Sequence, residues 1–161
     1  MSDDSRSAKS AIVTLVPVLP ADRQAFLQMA AQHFCELNPN FVATEDWNRY
    51  YFDRILENPK LCLRWIMTDH TRGGFILFGV EDHIFLPQRN GVVYELYVLP
   101  AFRRRGIAGA SAELAIDQLQ QCKPSKIHLD IMQDNRSAAE FWATLGFARV
   151  AERWVLRRTK T

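Results

Sequence analysis

Residues 96–114, LYVLPAFRRRGIAGASAEL, set three consecutive arginines, Arg103, Arg104 and Arg105, between a β-rich run and a Gly/Ala-rich helix start at Gly106. The first N–H groups of a helix have no intrahelical partner, and the helix dipole adds partial positive charge, so such a junction suits an anion. Small residues at Gly106, Ala108 and Gly109 let a diphosphate approach the backbone, and arginines add charge-assisted bonds from the sides. A phosphate cradle, a nucleic-acid patch and a solvated loop are all compatible with this stretch. Neither GxxxxGK[ST] nor GxGxxG is present, which argues against a nucleoside triphosphatase or a dinucleotide site. GASAE, residues 109–113, lacks the second glycine of a GxSxG elbow, so Ser111 reads as a packing residue. His33, His70, His83 and His128 show no HxH or HExxH spacing; they read as surface or loop residues, and no metal site is expected.

The elements that must position the cradle follow from periodicity. AIVTLVPVL reads as a strand, Pro20 to Leu37 as a helix stopped by NPN, and TEDWNRYYFDRIL as a second helix opened by Thr44, its aromatic cluster Trp47, Tyr50, Tyr51 and Phe52 facing the core. LCLRWIMTD and GFILFGVEDHIF form a hairpin through HTRG, and LPQRNG leads into VVYELYVLP, completing an antiparallel meander. An amphipathic helix runs from Gly106 to Gln121. KIHLDIM follows it as a strand that pairs parallel, as a β-α-β crossover requires. DNRSAAEFWATLGF reads as a helix capped at Asp134/Asn135 and stopped by Gly146, and ARVAERWVLRRTK as a closing strand.

With 161 residues, 48% of them hydrophobic, the chain is the size of one domain with its own core. Residues 1–10 read as a disordered tail and 11–161 as a single domain. The net charge of +2 leaves anion binding to local clustering of arginines and argues against nucleic acid as a partner, despite Arg153, Arg157, Arg158 and Lys160 near the end. Cys35, Cys62 and Cys122 lack CxxC spacing and read as free, buried thiols of a reducing cytoplasm. No apolar leader or membrane-length run is present, so a cytoplasmic protein with no membrane partner is expected.

Arg103-Arg104-Arg105-Gly106-Ile107-Ala108 matches the pattern Arg or Gln, two residues, Gly, one residue, Gly or Ala, and here the chain resembles the GNAT superfamily of acetyl-coenzyme A dependent N-acetyltransferases. LYVLP resembles that family's fourth strand, and DNRSAAEFWATLGF its later Asn-helix-Gly-Phe segment. The close resemblance covers roughly residues 92 to 147. It implies an α/β fold with a mixed, mainly antiparallel sheet splayed between strands 4 and 5, and helices on both faces. It also implies acetyl-coenzyme A as co-substrate, its pyrophosphate on the amides from Arg103 through Arg104, Arg105, Gly106, Ile107 and Ala108 to Gly109, and its pantetheine arm along Leu96, Tyr97 and Val98. Asn135 matches the asparagine that contacts the pantetheine or phosphates, and Phe141 and Trp142 would flank the thioester.

The implied reaction is acetyl transfer to a primary amine of a small molecule or peptide, by direct attack in a ternary complex. Such an amine is mostly protonated at neutral pH, its reference pKa being about three units higher, so freeing its lone pair costs roughly 4 kcal/mol. Glu95, in YELYV, resembles the acidic residue many members carry on this strand and is the candidate general base. Alternation puts Tyr94 and Leu96 on the opposite face from Glu95, and a bulge, usual in the family here, would reverse which face meets the substrate. Trp142 stands where the family often has the tyrosine that protonates the departing thiolate; indole is no such acid, which leaves water, Tyr94 or Tyr97. Arg104 replaces a common glycine. Glu45, Asp46 and Glu81 read as solvated acids of loops, the alternative being that they attract a cationic amine. The short tail after Phe147 suggests a missing or borrowed seventh strand and, with family habit, a homodimer. The rival readings are a non-catalytic acyl-coenzyme A binding or sensing domain and a nucleic-acid binder.

Overall fold

The computed structural model describes residues 11–157; the tail expected over 1–10 and the end of the expected closing strand lie outside them. The chain divides into two units, one through Asp130 and one from Ile131.

In the first unit the aromatic and β-branched runs form one sheet, ordered β1 (Val13–Pro17), β2 (Leu61–Thr68), β3 (Thr71–Asp82), β4 (Arg89–Val98), β5 (Ile127–His128). β1 to β4 are antiparallel neighbours, and β5 runs parallel to β4. The hairpin between β2 and β3 turns on Asp69 and His70, whose φ angles of 48° and 63° are both positive, matching the right-handed twist of the strands it joins. β5 is shorter than KIHLDIM suggested: Ile127 and His128 pair with Gly91 and Val92, and β4 then continues to Val98 with no strand on that side among the described residues. That opening is the splay expected between strands 4 and 5.

Helices cover both faces. Paired residues in antiparallel strands share a face, so Leu63, Trp65, Phe75, Leu77 and Tyr97 point the same way. They form a buried cluster with Phe26, Leu27 and Ala30 of α1 (Arg23–Leu37) and with Phe52 and Ile55. α1 is entered through a 3-10 turn, Pro20–Asp22, rather than as one helix from Pro20. The second expected helix is three joined pieces: α2 (Glu45–Asn48), capped by the Thr44 hydroxyl accepting from Trp47 N at 3.1 Å; a π-helical turn, Arg49–Asp53; and α3 (Arg54–Glu57). Tyr50, expected to face the core, is instead 56% exposed, beneath the Arg54 guanidinium. On the opposite face α4 (Ile107–Gln121) buries Ile107, Ala112, Ala115 and Leu119, and a Cβ on Gly91 of β4 would meet Leu119. Ser111 is fully buried, its hydroxyl donating to Ile107 O at 2.7 Å, as a packing residue should.

The second unit holds α5 (Arg136–Thr144). Asn135 caps it, its side-chain oxygen accepting from Ala138 N at 3.0 Å, and Gly146, with φ of 91°, ends it. Trp142 is buried, with the rings of Phe141 and Phe147 set edge-on at 5.0 and 5.3 Å. The expected closing strand does not form within the described residues: 148–157 are neither helix nor strand, and Val150, Trp154, Val155 and Leu156 are exposed. A strand needs a neighbour's N–H and C=O groups, which periodicity alone cannot supply. The three thiols are free, but Cys35 and Cys122 are exposed and Cys62 half-buried, against the expectation of burial. No described helix is long and apolar enough to cross a membrane.

Candidate active site

Pro100 cannot donate to a ladder, so β4 ends there and a 3-10 turn, Pro100–Phe102, leads into the arginine loop. Arg104 and Gly106 both take left-handed backbone, with φ of 62° and 73°. The family's common glycine at the position of Arg104 has this reason: a side chain there costs about 1–2 kcal/mol. From Arg104 to Gly109 no amide N–H meets a backbone acceptor among the described residues, and the helical ladder begins with Ala110 N donating to Gly106 O at 3.1 Å. A Cβ at Gly106 or Gly109 would meet nothing within 4 Å, so the space beside these amides is open. Six unpaired donors around an open space suit a pyrophosphate.

The three arginines divide in role. Arg103 Nε donates to Val98 O at 2.8 Å, and its terminal NH2 donates to both carboxylate oxygens of Glu36 on α1 at 3.0 and 2.7 Å. Its guanidinium also lies over the Tyr97 ring. The Tyr97 hydroxyl donates to the same carboxylate at 2.7 Å. Burial, with Glu36 accepting its proton, pushes that hydroxyl up to about 12, so it stays protonated at neutral pH and is committed to Glu36 rather than to a departing thiolate. Burial raises the Glu36 carboxyl, but the bonds from Tyr97 and Arg103 outweigh it and hold it below its ordinary value. Arg103 thus ties the loop to β4 and α1, whereas Arg104 and Arg105 are exposed, the Arg105 guanidinium lying over the Phe102 ring at 5.7 Å. Two charges instead of three also make a poorer nucleic-acid patch.

Glu95 owes its direction to a bulge. Leu77 pairs with Glu95 but Phe78 pairs with Val93, so Tyr94 is the extra residue and the alternation of β4 reverses across it. Glu95 therefore shares the face of Leu77 and Tyr97, where α1 packs. Its Oε2 lies 2.8 Å from His33 Nε2, and its side chain is 27% exposed. His33, expected at the surface, is buried because it continues the α1 stripe of Phe26, Leu27 and Ala30. The π-helical turn carries Tyr51 into the same region: burial and the Glu95 charge push its hydroxyl well above the usual phenol range, and that hydroxyl is buried with no hydrogen-bond partner among the described residues. A π turn moves later side chains round the helix axis, and such turns recur at functional sites. Tyr94 is 43% exposed; burial, then the charge of Glu81, raises its hydroxyl, which keeps it a proton donor at neutral pH.

Leu96 is half-buried and Val98 buried on β4. Asn135, Phe141 and Trp142 belong to the second unit. The loop acids are paired rather than merely solvated, which also weakens the alternative that they draw in an amine: Glu45 with Arg23 at 3.1 Å, Asp46 with Arg49 at 2.6 Å and Glu81 with His128 at 2.7 Å. His33, Glu36 and Tyr51 were not singled out for chemistry from sequence. His33 and Glu36 carried a signal, for they sit three residues apart on the stripe that continues from Ala30.

Comparison with known proteins bears on the family and the fold. The model of the Acetyltransferase (GNAT) family matches residues 27–147. An uncharacterized protein of Mycobacterium leprae, ML0378, is 27% identical over 141 residues, which is 88% of this chain but 36% of that protein, so the chain spans about a third of its relative's length. Among solved structures, a transcriptional regulator from Bacillus halodurans superposes with a TM-score of 0.77 at 15% identity, over 91% of this chain and 100% of that one. The aminoglycoside N-acetyltransferase AAC(6')-Iy, solved in complex with CoA, superposes with a TM-score of 0.72 at 17% identity, over 96% and 99%. At such identities these likenesses show the fold. The family match runs through α1, the bulged β4 and the open-amide loop, and the chain belongs to the GNAT acetyltransferase family.

Proposed function

We propose that the protein transfers the acetyl group of acetyl-coenzyme A to a primary amine of a small molecule or peptide, by direct attack in a ternary complex. One observation carries this reading: the unpaired amides of Arg104 to Gly109 open beside the unpaired edge of β4, the strand that also presents a partly exposed carboxylate at Glu95. These groups fit acetyl-coenzyme A, whose contribution when bound is an acyl group activated as a thioester. The loop amides with Arg104 and Arg105 would hold the pyrophosphate, and the backbone of Leu96, Tyr97 and Val98 the pantetheine, with the Val98 carbonyl already shared with Arg103. Family resemblance adds Asn135, whose side-chain NH2 is left to donate because its oxygen caps α5, and Phe141 and Trp142 beside the thioester.

Glu95 takes one proton from R–NH3+. The freed nitrogen bonds the acetyl carbon as the C–S bond breaks and gives up its second proton to water, while the thiolate sulfur receives a proton from water or from Tyr94, which water then reprotonates, so that amide, free thiol and the one proton held by Glu95 are the products. Tyr94 suits that task better than Tyr97, whose proton Glu36 already holds.

The test is release of free coenzyme A thiol from acetyl-coenzyme A across polyamines, aminoglycosides, amino acids and lysine peptides, with a no-acceptor control. Acceptor-dependent release supports the transferase and names the substrate class. Silence across the panel with acetyl-coenzyme A still bound tightly favours the alternative, a non-catalytic acyl-coenzyme A sensing domain. Glu95→Gln should lower turnover about 10²-fold or more at neutral pH with coenzyme A affinity retained; an unchanged pH–rate profile removes Glu95 from the chemistry.

A further inference from the structure

His33 is a buried ionisable residue that the cradle does not use and the family resemblance does not assign. It is 9% exposed, and its one side-chain hydrogen-bonding contact among the described residues is Nε2 with Glu95 Oε2 at 2.8 Å. Aromatic rings on three elements fix the imidazole plane: Phe34 on α1 at 5.4 Å, Phe75 on β3 at 5.9 Å and Tyr97 on β4 at 4.9 Å. A ring so confined has little freedom to turn away from its partner.

Glu95 is the less confined member. Its side chain is 27% exposed against 11% for that of His33, and Oε1 has no partner among the described residues. The residue follows a bulge, where the strand ladder is locally interrupted, so backbone pairing alone defines its direction poorly. An ionised carboxylate only accepts hydrogen bonds, so at this contact the imidazole donates from Nε2. A donor there occupies Oε2, so that Oε1 is the oxygen left for a substrate proton.

We propose that His33 is the positioning residue for Glu95, orienting its carboxylate so that Oε1 is presented to the acceptor amine. This rests on the reading of Glu95 as the general base given above. His33 acts through Glu95 and touches no reacting atom. The arrangement also accounts for a histidine on the apolar stripe of α1, where an aliphatic residue would pack with no polar group to satisfy.

The role is separable from packing. His33→Leu keeps an apolar side chain in the stripe and removes the donor, whereas His33→Gln carries an amide NH2 able to donate from a comparable position but unable to titrate. With the acceptor found in the thiol-release panel, His33→Leu is expected to lower kcat about 30-fold, within the range for misplacing a general base, while acetyl-coenzyme A affinity by calorimetry stays within about twofold. His33→Gln should recover most of that loss. In the unmodified protein, 15N spectra should show Nε2 protonated at neutral pH, and Glu95→Gln should shift that resonance. Full activity in His33→Leu, no rescue by Gln at matched melting temperature, or an unprotonated Nε2 each overturns the proposal. If His33→Leu fails to fold, the 15N measurement decides. A wild-type protein that binds acetyl-coenzyme A but releases no thiol refutes the transferase reading itself; an active one indifferent to His33 refutes only the positioning role.

Discussion

Gly106→Ala tests the cradle with the fewest confounding contacts. Gly106 holds φ of 73°, and a Cβ built there meets nothing within 4 Å, so the substitution carries backbone strain but no clash. Left-handed backbone costs a non-glycine residue about 1–2 kcal/mol, and alanine recovers about 0.4–1 kcal/mol by restricting the unfolded chain. The net loss is about 1 kcal/mol, or roughly 2–4 °C in melting temperature at this size. Gly109→Ala is the matched control. It also points into open space, but it lies within α4, where alanine should add about 0.5–1 kcal/mol of stability. Scanning calorimetry should therefore move the two variants in opposite directions. Titration with coenzyme A should weaken both by about tenfold or more, equivalent to about 1.4 kcal/mol, since each methyl takes space the pyrophosphate needs. Unweakened binding in both variants refutes the cradle. A Gly106→Ala melting temperature at or above that of the unmodified protein refutes the strain argument.

Two further predictions concern groups around the sheet. Asp22 accepts from Leu19 N at 2.9 Å, Trp65 Nε1 at 3.1 Å and the Arg72 guanidinium at 2.5 Å, and these bonds, the backbone one foremost, hold its carboxyl below the ordinary value. Its stabilisation is complete above the unfolded carboxylate pKa and lost as pH falls through the depressed folded one. Asp22→Asn should cost about 1–3 kcal/mol in neutral urea melts, with the gap closing below about pH 4; a gap independent of pH counts against the charge. Tyr51→Phe removes a buried hydroxyl that has no partner among the described residues, so stability should hold or rise by up to about 1–3 kcal/mol in thermal melts, and a loss of that size would refute this account of the hydroxyl.

Much of the fold could be read along the chain because it rests on local chemistry. Pro100 ends β4, Thr44 caps α2, Asn135 caps α5 and Gly146 stops it, all by rules that act within a few residues. The arginine loop was legible for the same reason, since unpaired amides are a property of any helix start. The division of labour among its arginines was not, because Glu36, which holds Arg103, lies 67 residues away in the chain. The absence of a closing strand among the described residues and the two-residue β5 show the same limit from the other side: alternation marks a segment able to be a strand, and only a neighbour makes it one.

The amino-acid sequence by itself determined the family, the order of most elements and the loop of open amides before α4, because periodicity, caps and small residues near a helix start are local and directional. Tertiary structure alone decided where the carboxylate of Glu95 points and what stands behind it. The bulge at Tyr94 reverses the strand, α1 delivers His33 to 2.8 Å from Glu95, and the π turn buries the Tyr51 hydroxyl nearby. Each depends on the register and packing of elements far apart in sequence, and contacts at that range are set by the folded core rather than by the residues beside them.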